Sequence, residues 1–196
     1  MRAMAADGIN LTNQFLIAMP GMADERFAGS VVYLCEHNDQ GALGLVVNKP
    51  VDINLGELFD KIDLTLSDAS LAEQPVYFGG PVQTERGFVL HDAGPADEGP
   101  IYSSTLNVPD GLAMTTSKDV LEAIAHGAGP KRVLVTLGYS GWGAGQLEDE
   151  LGRNGWLTVP ADPAIIFDTP VDERYMKALA LLGFDPRMLS QEAGHA

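Results

Sequence analysis

A chain of 196 residues has the length of one ordinary domain, and 12 Lys and Arg against 27 Asp and Glu give it a net charge of −15. Apolar residues at 45 % exclude an intrinsically disordered chain, and a field this negative repels nucleic acid at long range. The 22 Gly and 12 Pro favour short elements joined by tight turns.

The N-terminal stretch carries Arg2 and then Asp7 with no apolar run between them, which does not make a secretory signal. Gln14-Phe-Leu-Ile-Ala-Met19, closed by Pro20-Gly21, predicts a strand buried on both faces. Val31 to Glu36 and Ala42 to Asn48 predict two more, and the turn formers His37-Asn-Asp-Gln-Gly41 between them predict a hairpin. Lys49-Pro50 is expected to end the second of these. Asn54 then caps a helix, with Glu57 three residues on and Leu55, Leu58, Phe59 and Ile62 as its apolar stripe. Thr65 to Gln74 reads as a polar connector, and Pro75 to Gly79 and Arg86 to His91 as a second hairpin.

Asp92 to Pro100 reads as an exposed loop, and Ile101 to Leu106 and Leu112 to Thr115 as strands. Thr116-Ser-Lys-Asp119 resembles a capping box ahead of Val120, Leu121, Ile124 and Ala125, with Gly127 as the stop. Arg132 to Gly138 predicts a third buried strand, and Gly145 to Asn154 a short helix held by Leu147 and Leu151. Trp156 to Val159 and Ile165 to Phe167 read as short strands. Thr169 as cap and Pro170 at the first position open a last helix, with Val171, Tyr175, Leu179 and Leu182 buried and Gly183 as terminator. Gln191 to Ala196 is expected to be a loose tail. These elements predict one α+β domain over residues 1–196: an antiparallel-rich, strongly curved or split sheet flanked by about four helices.

Complete chemical motifs are lacking. Gly138-Tyr-Ser-Gly-Trp-Gly-Ala-Gly-Gln146 has glycines at a strand-to-helix junction, yet it fits neither a P-loop nor a dinucleotide fingerprint. Ser140 followed by Asp162 or Asp168 and then His195 has the chain order of an α/β-hydrolase, but Trp142 stands where the nucleophile elbow needs glycine. Cys35 and His37, two apart on a strand, fall on one face with Glu36 opposite and Asp39 in the turn; even with His91 approaching, this is no zinc set. His126 ends a helix, Glu150 and Asn154 lie one turn apart, and Trp142 and Trp156 suit core packing or an aromatic wall. Thr115-Thr-Ser-Lys-Asp119 places hydroxyls at a helix start, where capping accounts for them. No catalytic residue, metal or cofactor is expected.

Several strings, in order, resemble the AlgH/YqgE family of bacterial proteins: Phe15-Leu-Ile-Ala-Met-Pro20, Ser30-Val-Val-Tyr-Leu-Cys-Glu-His-Asn38, Gly44-Leu-Val-Val-Asn-Lys-Pro50 and Gly79-Gly-Pro81. Arg86-Gly-Phe-Val-Leu-His91, Thr115-Thr-Ser117, Asp119-Val-Leu121, Leu137-Gly-Tyr139, Gly145-Gln-Leu-Glu148, Trp156-Leu157 and Pro160-Ala-Asp162 continue it. The resemblance implies a bifurcated sheet folded into a pseudo-barrel, and the name AlgH suggests transcriptional regulation. With the charge against operator binding, regulation is expected to be indirect.

The resulting expectation is a cytoplasmic, non-enzymatic binding or regulatory module with a protein or small-molecule partner, away from nucleic acid and membrane. Its binding candidates are Glu36, His37, Asn48, Lys49, Arg86, His91, Thr115, Ser117 and Gln146. The alternatives are a hydrolase using Ser140 or a water between His37 and His91, and a direct DNA-binding regulator needing a contiguous basic surface.

Overall fold

The computed structural model describes residues 10–21, 24–93, 102–109 and 111–183. The expected loop around 94–100, Ile101, the 191–196 tail and His195 lie outside them. Ten strands form the sheet: β1 (Gln14–Ala18), β2 (Val31–Asn38), β3 (Gly41–Val46), β4 (Pro50–Asn54), β5 (Pro75–Phe78), β6 (Val82–His91), β7 (Thr105–Asn107), β8 (Ala113–Thr115), β9 (Val133–Gly143) and β10 (Trp156–Pro160). Six α-helices lie among the described residues: α1 (Leu55–Lys61), α2 (Ala69–Ala72), α3 (Lys118–Ala125), α4 (Gln146–Gly152), α5 (Pro163–Phe167) and α6 (Arg174–Ala180). The fold is α+β, with an antiparallel-rich, curled sheet in the order β10-β1-β2-β3-β9-β6-β8-β7.

The sheet divides at β9. One edge pairs with β6 through residues 133–139, while other stretches pair with β5 in parallel at Thr136 and Leu137 and with β3 from Ser140 to Gly143. At the fork two backbones pass so closely that a Cβ on Gly80 would stand 2.2 Å from the Tyr139 carbonyl oxygen, and one on Gly138 2.3 Å from that of Gly80. Only glycine fits at either position. The glycines of the 138–146 segment therefore serve the sheet: β9 runs on to Gly143, past the expected end at Gly138.

Alternate residues feed separate cores, because side chains of a strand point to opposite faces. Phe15, Ile17, Tyr33, Leu45, Leu90 and Leu134 share one cluster with Ile166 and Leu179 from α5 and α6. Leu16, Val32, Leu34 and Val46 pack on the other face with Trp142, Leu147 and Trp156. Val89 and Val135 meet Leu55, Phe59, Val120 and Ile124 from α1 and α3. Burial on both faces is what the unbroken apolar runs of β1 and β2 encode.

The β2–β3 hairpin forms as expected, and Asn54 caps α1, accepting from the Glu57 amide at 2.9 Å. Other expectations are corrected. Pro50 begins β4 as well as ending the preceding run, and β5 and β6 each pair with β9 without forming a hairpin together. The 65–74 connector contains α2. Ile165–Phe167 is helical, because Asp162 accepts from the Ala164 amide and Pro163 opens the turn. A short 3₁₀ turn, Val171–Glu173, precedes α6, and the Thr169 hydroxyl donates to the Ala164 carbonyl without capping it. Ser117 flanks α3 but makes no side-chain cap.

Candidate functional site

Strand β2 breaks its alternation at Cys35. Pairing steps from Leu34–Gly44 to Glu36–Leu43, leaving Cys35 as the extra residue of a bulge. Cys35 stays in the core shared with α5 and α6, whereas His37 now sits opposite Ala42, which packs with Trp142 and Leu147. The expected common face for Cys35 and His37 is thereby lost.

The His37 side chain is 0 % exposed. Its Nδ1 accepts from the Leu11 amide at 3.0 Å, and its own amide donates to Thr12 Oγ1 at 3.0 Å. An accepting Nδ1 puts the ring proton on Nε2. Nε2 lies 3.4 Å from Glu148 Oε2, close enough for attraction but without hydrogen-bond alignment, so Nε2 and Glu148 Oε1 are buried without a hydrogen-bond partner.

On the same helix, Glu150 Oε1 accepts from the indoles of Trp142 at 3.1 Å and Trp156 at 2.9 Å. Gln146 donates to Glu150 Oε2 and accepts from the Gly143 amide, each at 3.0 Å. Phe27 stacks on Trp142 and meets Trp156 edge-on. The tryptophans and Glu150 thus fasten α4 to β9 and β10.

Beside His37 lies a cleft of about 550 Å³, between the end of β2, the turn before β1 and the β7–β8 turn. Asn10, Thr12, Asn13, Glu36, Asn38 and Asn107 give it a polar wall, with no Lys or Arg among the described residues that line it. Asn10 and Asn38 turn their carbonyl oxygens back to the amides of Thr12 and Gln40. The buried Tyr33 hydroxyl donates to Asn13 and accepts from the Leu112 amide, tying the β7–β8 turn to the core. Burial holds that phenol above its usual range. Glu36 and Asn38 also border a smaller hollow of about 240 Å³ reaching Gln40 and Trp142.

The other candidates lie elsewhere. His91 donates from Nδ1 to the Asp92 carbonyl at 2.8 Å, and its Nε2 stands 2.7 Å from Thr115 Oγ1, itself 2.9 Å from Thr105 Oγ1. Burial depresses the basicity of this imidazole, against the opposing pull of Asp92. Ser117 donates to Asp119, holding that carboxyl below its usual range, and accepts from the Ser104 amide. Asn48 clamps the Gly29 carbonyl and Val31 amide, Lys49 reaches the Ala28 carbonyl, and Arg86 lies along exposed β6 over Phe88. His37 and Gln146 therefore stand at α4, Glu36 lines the cleft beside His37, and His91, Thr115 and Ser117 lie near the β6–β8 end. His91 is level with Val133 and His37, through Ala42, with Trp142, so about 30 Å of strand at ~3.3 Å per residue separates them. One water cannot serve both.

Ser140 is fully buried and donates to the Gly79 carbonyl, Asp162 caps α5, and Asp168 faces Arg132 at 3.7 Å. No hydrolytic triad assembles among the described residues. Asn10, Thr12, Asn13 and Asn107 escaped the sequence reading; the polar string Asn10-Leu-Thr-Asn13 before the first strand was the available signal.

The AlgH-like family profile (DUF179) matches residues 15–187. The chain belongs to this family. It is 71 % identical to a UPF0301 protein of Ralstonia nicotianae over 96 % of each chain. A UPF0301 protein of Burkholderia vietnamiensis is 66 % identical over 97 % of this chain and 98 % of its own. The solution structure of the AlgH protein from Pseudomonas aeruginosa superposes with a TM-score of 0.76 at 53 % identity, covering 96 % of this chain and 97 % of that one. A Corynebacterium diphtheriae protein at 20 % identity shares the AlgH-like fold with a TM-score of 0.66, over 90 % of this chain and 92 % of its own. No helix among the described residues is long and apolar enough to cross a membrane.

Proposed function

We propose that the protein is a non-catalytic binding module whose cleft beside His37 takes a polar peptide segment bearing cationic or hydrogen-bond-donating groups. The observation that carries this reading is the cleft's wall of amides, one hydroxyl and Glu36, with no cationic side chain to hold phosphate among the described residues. Net charge adds long-range attraction for a basic partner. Regulation of the kind the family name suggests would run through a bound protein, in a cytoplasm whose reducing conditions suit one buried cysteine. A ¹⁵N-edited titration of the full chain with a short arginine-containing peptide should shift Thr12, Glu36, Asn38 and Asn107, and duplex DNA should not. Shifts at these residues with DNA, or none with the peptide, would refute the reading.

A further inference from the structure

Arg174 is the one buried Lys, Arg, Asp or Glu among the described residues, at 6 % exposure. Its Nε donates to the Thr169 carbonyl at 2.9 Å and its Nη1 to the Val47 carbonyl at 2.6 Å, with the guanidinium 5.1 Å from the Tyr77 ring centre. A guanidinium has five N–H donors, so three remain uncommitted, both Nη2 hydrogens among them. No carboxylate among the described residues pairs with it. Two carbonyls and a ring face leave the charge itself without a counter-ion, an expensive arrangement away from water.

Arg174 also lines a cavity of about 60 Å³, shared with the polar Gln74 and with Leu55, Val135, Ile166 and Phe167 among the apolar walls. That is room for roughly two waters at ~30 Å³ each, or for one small organic anion. We propose that this cavity binds an aliphatic carboxylate of acetate or propionate size. The carboxylate oxygens take the free N–H donors of Arg174, a fork matched to that group, and the methyl or ethyl end meets the apolar wall. A phosphate would bring more oxygens than one guanidinium and one amide satisfy, and would strand the remainder against hydrocarbon.

The test is calorimetric titration of the full chain with acetate and propionate at fixed ionic strength, beside propionamide and inorganic phosphate. Saturable one-to-one binding of the carboxylates is expected, with at least tenfold weaker binding of propionamide and phosphate. Arg174→Met should abolish binding, and the Arg174 Nε–H resonance of the unaltered protein should move during titration. Absence of saturable carboxylate binding, equal binding of propionamide or phosphate, an unmoved Arg174 resonance or undiminished binding by Arg174→Met would each overturn the proposal. The propionamide and resonance measurements use the native sequence, so they decide even if the variant does not fold.

Discussion

His37 and His91 are both buried, stand at opposite ends of β9, and carry their protons on opposite nitrogens. At His37 a backbone amide donates to Nδ1, which leaves the proton on Nε2 facing Glu148. At His91 a backbone carbonyl accepts from Nδ1, which leaves Nε2 to accept from the Thr115 hydroxyl. The peptide group beside the ring thus decides its electrostatic character. The His91 end is satisfied by a rotatable hydroxyl chain, while the His37 end keeps a carboxylate oxygen and a ring nitrogen without hydrogen bonds, next to the polar cleft.

The largest effect is expected from His37→Ala. The change empties a buried ring's volume and strands the Leu11 amide, so about 3 kcal/mol of stability should be lost. Urea unfolding measures it, and a loss below about 1 kcal/mol would show that the His37 end is not the more demanding of the two.

The fold was legible wherever a local pattern determined it. Apolar runs marked β1, β2 and the start of β9, and Asn54 with Glu57 marked α1. What escaped depended on long-range pairing: nothing local in Val31–Asn38 announces a bulge at Cys35, yet that one residue transfers His37 to the other face. The pairing of β5 with β9 was equally hidden, because the two lie more than fifty residues apart in sequence. Ile165–Phe167 misled because a short apolar run suits either structure, and the Asp162-Pro163 start decided for helix. Among the candidate residues, His37 and His91 stood together in the sequence as binding candidates, and their separation is a property of sheet order.

A smaller loss should follow Thr115→Val, which keeps the shape of the side chain and removes the hydroxyl that serves His91. About 1 kcal/mol is expected by urea unfolding. Thr105→Val, one hydroxyl further from the ring, should cost less; equal losses would mean that Thr115 does not serve the imidazole in particular.

The smallest effect is a dependence on pH. Burial lowers the folded-state pKa of His91 from its ordinary 6.5, so the unfolded chain takes up its proton first as the solution is acidified. Stability contributed by neutral His91 is therefore complete above the unfolded value and is lost as pH falls from there to the folded value, below which the contribution is flat. Unfolding of the native protein and of His91→Gln, compared between pH 7 and pH 5, should give curves that converge on acidification, their slopes differing by at most about one proton. Parallel curves would mean that the ring is as easily protonated folded as unfolded, and the contrast between the two histidines would then rest on their hydrogen bonds alone.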